Sequence, residues 1–140
     1  MTKKQLEQKL NKKSLKQILE TYALPPRFLA YFSAQCAKDA MSKLKDNGVD
    51  PDPRSLAAIS MAEDYGNGKD FSPEHMRKVT DDAANAAAYS AAYAAYYAAN
   101  AADYTAYYAA NATYADYYKP LLFDLIESRL SKLEKILIFG

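Results

Sequence analysis

Two patterns in the chain have residue types that could do chemistry. One is a set of titratable side chains: the carboxylate pairs Glu63-Asp64 and Asp81-Asp82, with a single His75 and a single Cys36. The other is a run of phenols and amides in which Tyr93, Tyr97, Asn100, Tyr104, Tyr108 and Asn111 recur at regular spacing. The first pattern is poor in catalytic potential. Consecutive residues on a helix point in different directions, so neither carboxylate pair can share a proton or an ion. One His and one Cys cannot build a Cys/His zinc site or a triad that needs a second His. His75 has neither a second ligand nor an acid–base partner, so an exposed side chain is expected. No enzyme activity, cofactor or metal is expected.

The second pattern is denser. From Asp82 to Tyr118, 28 of 37 residues are Ala or Tyr, and YAAYYAANA at 93–101 returns as YTAYYAANA at 104–112. The period of eleven is about three helical turns, which keeps the faces of the repeat aligned along a nearly straight helix. Projected at about 100° per residue, the ten tyrosines of this stretch fall within one half of the wheel, with Asn85, Asn100, Asp103 and Asn111. The opposite half is almost wholly Ala, broken by Thr105, Thr113 and Asp116. An alanine face lets two helices approach closely, while a tyrosine face offers flat area with a hydroxyl at its rim. Most of the rings are expected to pack over flanking helices, and the remainder to form an exposed patch.

The elements that must position these faces are helices. Thr2 and Ser14 each precede a Gln by three residues, the capping-box spacing that opens a helix. Leu15, Ile18, Leu19 and Tyr22 line the second helix, which Pro25-Pro26 ends. Pro26 opens a third, running to about Asp46 with Phe28, Leu29, Phe32, Cys36, Ala37, Ala40, Met41 and Leu44 at helical spacing. After Asn47-Gly48, Asp52 and Pro53 start a fourth helix that should bury Leu56, Ile59 and Ala62 and close at Gly66-Asn67-Gly68. Ser72-Pro73 begins a fifth, with Phe71 and Met76 at the spacing of a hydrophobic staple. An unbroken helix from Ser72 to Lys119 would be about 70 Å long. A domain of this size spans roughly 40 Å, so a fold-back is expected at Asn100–Asp103. Pro120 opens a last helix whose core stripe is expected to be Leu122, Ile126, Leu130, Leu133 and Leu137. The fold class is therefore all-α, a compact multi-helix bundle with long Ala/Tyr-rich helices. Residues 1–24 form a basic N-terminal helical arm, and residues 25–140 a single helical domain.

Charge is unevenly spread along a nearly neutral chain. Residues 1–46 carry ten Lys/Arg against four Asp/Glu, whereas no basic residue lies between Lys78 and Lys119. The arm could touch nucleic acid, but a lysine-rich solvated face is the simpler expectation. Residues 83–102 are uncharged yet contain no Leu, Ile, Val or Phe, so no membrane span is expected there. The single Cys and the charged start after Met1 fit a cytoplasmic protein.

Four stretches carry a resemblance to a known family: Asp52-Pro53-Arg54, Ala58-Ile59-Ser60-Met61-Ala62, Tyr65-Gly66-Asn67-Gly68 and Tyr118-Lys119-Pro120-Leu121-Leu122. Together with the Ala-rich run, they make residues 28–130 resemble the immunity-five-like family, helical immunity proteins of bacterial genomes and phages. The resemblance implies a helical domain that acts by binding in toxin–immunity or phage–host conflict. The expected partner is a toxin, or a defence or host factor, held by Tyr93, Tyr97, Asn100, Tyr104, Tyr108 and Asn111, with Arg54 contributing. The alternative is sequestration of a small molecule or nucleotide, with tyrosines stacking on a base and Arg27, Arg54 or the N-terminal lysines supplying cations. A second alternative is nucleic-acid binding through the arm. Self-association is open to the Ala face or the C-terminal helix.

Overall fold

Seven helices and no strand make up the regular structure among the described residues. The computed structural model describes residues 2–46, 48, 50, 52–85 and 118–140. The helices are α1 (Lys3–Leu10), α2 (Leu15–Thr21), α3 (Pro26–Asp46), α4 (Pro53–Gly66), α5 (Pro73–Asn85), α6 (Lys119–Arg129) and α7 (Lys132–Phe139). The expected fold-back at Asn100–Asp103 lies outside the described residues.

Helix starts follow the polar punctuation of the sequence. Thr2 and Ser14 accept from the backbone N–H of Gln5 and Gln17, whose side chains accept in return from the cap N–H groups. Asp52 accepts from the Arg54 N–H, with Pro53 at the first helical position, where no N–H is needed. Ser72 Oγ accepts from the His75 N–H at the start of α5, and Phe71 packs against the cluster to which Met76 belongs.

α3 is the wall shared by two clusters of buried side chains. One face presents Phe28, Leu29, Phe32 and Cys36 to Leu6 and Leu10 of α1, Leu15 and Ile18 of α2, Leu122 and Ile126 of α6, and Phe139 of α7. The other presents Ala34 and Ala37 to Ala58, Ile59, Met61 and Ala62 of α4 and Met76 of α5. Alanine on both sides lets α3 and α4 pack closely. The basic N-terminal segment contributes Leu6, Leu10, Leu15, Ile18, Leu19 and Leu24 to the first cluster. Its lysines lie outside, Lys3 bound to Asp124 and Lys9 to the Phe139 carbonyl.

Two expectations are corrected. The helix opened by Pro120 is not continuous to residue 137. Leu130 is extended (ψ 136°), and Ser131 starts α7 with a third capping box whose other member is Glu134. The break keeps Leu130 and Phe139 buried but turns Leu133 and Leu137 outward, 64% and 75% exposed, so neither belongs to the core stripe. In α4, Leu56 is 47% exposed, while Ser55, Ala58, Ile59, Met61 and Ala62 are buried. The close approach of α4 to α3 selects its small side chains for the interface and leaves this leucine at the edge.

Candidate functional site

Arg54 is the one expected site residue among those described; Tyr93, Tyr97, Asn100, Tyr104, Tyr108 and Asn111 lie outside them. Its guanidinium is turned back onto the cap of its own helix. Nε donates to Asp52 Oδ1 at 3.1 Å and an Nη to Oδ2 at 2.9 Å, while the Arg54 backbone N–H donates to Oδ1 at 2.8 Å. These bonds, the side-chain ones foremost, hold the Asp52 carboxyl down from 3.8 to about 2. A depressed carboxyl stabilises the fold above its unfolded pKa, and that contribution disappears as pH falls through the folded value. Asp52→Asn should therefore show a shallower loss of thermal stability than the parent between about pH 4 and pH 2. Arg54 is exposed and Asp52 only half-buried, so the difference should shrink at high salt. Identical acid limbs for parent and variant would contradict this role.

Two further arginines are also committed within the fold. Arg27 of α3 lies 4.2 Å over the Tyr65 ring and donates to the Tyr65 carbonyl at 2.7 Å, to the Lys69 carbonyl and to Asp70. Arg129, at the end of α6, lies 3.5 Å over the Tyr31 ring and donates to the Gly66 carbonyl at 3.2 Å and to Asn67 Oδ1 at 2.7 Å. The C-terminus of a helix presents unpaired carbonyls and partial negative charge. Two cations stacked on two tyrosines neutralise that end of α4 and tie it to α3 and α6. Sequence reasoning missed this arrangement because its members are far apart in the chain.

The described molecule also has an open groove of about 430 Å³ between α3 and α4. Lys38, Met41, Ser42 and Lys45 line one wall, and Leu56, Ile59, Ser60 and Glu63 the other. Glu63 is held in place: Gln35 Nε2 donates to Oε2 at 2.6 Å, and Lys38 Nζ to the same oxygen at 3.3 Å. Lys45 makes no ion pair among the described residues. Leu56, which sequence spacing assigned to the core, forms part of this exposed wall.

The remaining reactive groups are dispersed. Cys36 is buried, and desolvation, with a smaller contribution from Asp39, pushes its thiol far above the usual range. His75 is exposed and stacked against Phe71, with ring centroids 5.6 Å apart. Asp82 pairs with Lys78 at 3.6 Å. Tyr118, the described member of the tyrosine stretch, is buried and donates its hydroxyl to Asp39 at 2.9 Å. Among the described residues no group of three His, Cys, Asp or Glu is placed to hold a metal ion. None of their helices is long and apolar enough to cross a membrane. No family model, curated protein or solved structure matches the chain.

Proposed function

We propose that this chain is a non-enzymatic binding protein that occludes a protein partner through the Tyr/Asn-rich stripe of residues 82–118, in toxin–immunity or phage–host conflict. The observation that carries the reading is the eleven-residue repeat, which confines ten tyrosines and three asparagines to one half of a helical projection. Tyrosine gives broad contact area at low conformational cost, and asparagine adds adaptable hydrogen bonding, a composition suited to protein surfaces. Nucleotide sequestration is the weaker reading. Phosphate needs cations, and Arg27 and Arg54 are already bonded to Asp70 and Asp52. A partner of this kind is expected to be encoded beside the chain's own gene, so neighbouring gene products are the natural prey in an affinity capture. Replacing Tyr97, Tyr104 and Tyr108 together by Ala should abolish capture while far-UV circular dichroism stays unchanged. Capture that survives the triple substitution would exclude the stripe as the binding surface.

A further inference from the structure

We infer that the α3–α4 groove is a second docking site, whose occupant is an acidic amphipathic helix of a partner protein. The groove walls have a definite register. Lys38, Met41, Ser42 and Lys45 stand at i, i+3, i+4 and i+7 of α3, and Leu56, Ile59, Ser60 and Glu63 at the same intervals of α4. Each set is one face of a helix over two turns, about 10 Å long. Two such faces side by side form the seat that a third helix occupies in a bundle, with its own apolar residues at i, i+3, i+4 and i+7.

The lining determines the chemistry of that third helix. Met41, Leu56 and Ile59 supply an apolar floor, and Leu56 is 47% exposed although it is large and aliphatic. Lys38 and Lys45 stand two turns apart on the α3 rim; Lys38 pairs with Glu63, the one carboxylate among the described lining residues, which also accepts from Gln35, so Lys45 is left uncompensated. The unbalanced charge of the groove is therefore positive and lies on one side. A helix with a leucine stripe and carboxylates along the flank facing α3 complements it; a basic helix would meet the uncompensated Lys45. The groove lining shares no residue with the tyrosine stripe, so different substitutions test the two sites.

The test uses the full chain and two fluorescein-labelled synthetic helical peptides of about 16 residues. They share a leucine stripe and differ only in carrying Glu or Lys on one flank. Fluorescence anisotropy should show the Glu peptide binding about tenfold more tightly than the Lys peptide, with the preference weakening as salt rises. Leu56→Asp should abolish binding of the Glu peptide. The double variant Lys38→Glu/Lys45→Glu should reverse the preference, an outcome that misfolding cannot imitate. The Tyr97/Tyr104/Tyr108 triple variant should bind the Glu peptide as the parent does. Equal affinity for the two peptides, no binding of the Glu peptide, or binding indifferent to Leu56→Asp would overturn the inference. So would a dimer of the chain that Leu56→Asp dissociates, because the groove would then belong to a second copy.

Discussion

Phe32→Ala should lower the thermal unfolding midpoint by roughly 10 °C or more. The ring is fully buried in the N-terminal half of α3, in the cluster that joins this helix to α1, α2, α6 and α7. Removing it takes away most of an aromatic side chain's transfer free energy and leaves a cavity that the surrounding helices can fill only in part. Such truncations cost about 3–5 kcal/mol, a large share of the stability of a domain this size. Neighbouring side chains from several separate segments would all have to shift together to close the gap, so the cost should lie toward the upper end. Leu56→Ala is the matched control. It removes a leucine from a half-exposed wall and should change stability by less than about 0.5 kcal/mol. Urea denaturation of the three proteins measures both differences. A Phe32→Ala cost below about 1 kcal/mol would mean that α3 is not the shared wall of two cores.

The contrast between these two positions shows what could be read from the chain. Phe28, Phe32 and Cys36 were recognisable as a stripe because apolar spacing reports which residues share a helix face. Spacing does not report how closely the next helix approaches. At α4 the alanines decide the interface, and Leu56, although at core spacing, is left at its edge. The break before α7 had a local signal that the leucine stripe overrode. Ser131-Lys132-Leu133-Glu134 has the same hydroxyl-to-acceptor spacing as Thr2–Gln5 and Ser14–Gln17, and it forms the same reciprocal cap. A stripe that continues through a capping signal can belong to two helices.

The motifs that carry the family resemblance also have a local physical reading. Asp52-Pro53-Arg54 is the cap of α4, Tyr65-Gly66-Asn67 its C-terminal end, and Tyr118-Lys119-Pro120 the start of α6. They specify where helices begin, end and touch, which is information about the fold. The groove was invisible for a related reason. Its two walls are separately ordinary helix faces, and only their juxtaposition forms a groove with lysines on one rim. Arg27 and Arg129 were likewise legible as cations but not as stacked partners of Tyr65 and Tyr31, because nothing in the chain order brings them together.

That arginine–tyrosine junction gives Gly66→Ala an effect out of proportion to one methyl group. An added Cβ would lie 2.6 Å from Tyr31 Cβ, 3.0 Å from the Arg27 carbonyl oxygen and 3.1 Å from Tyr31 Cα. None of these atoms can rotate away, so the end of α4 must move off α3. Overpacking of this kind costs about 1–3 kcal/mol. The displacement also stretches the bonds from Arg27 to the Tyr65 carbonyl and from Arg129 to the Gly66 carbonyl, bonds to charged donors that are worth about 1.5–3 kcal/mol each when fully lost. Partial loss brings the expected total to about 3 kcal/mol. Gly68→Ala separates this clash from simple backbone strain. Gly68 has φ +103° with open space around it, so Ala there should cost only about 1–2 kcal/mol. If the two effects share a cause, Arg129→Ala will destabilise the parent more than it destabilises the Gly66→Ala protein, because the second has already given up part of the same contact. Additive costs in that cycle, or equal costs at Gly66 and Gly68, would mean that the end of α4 is not clamped between Tyr31 and Arg129.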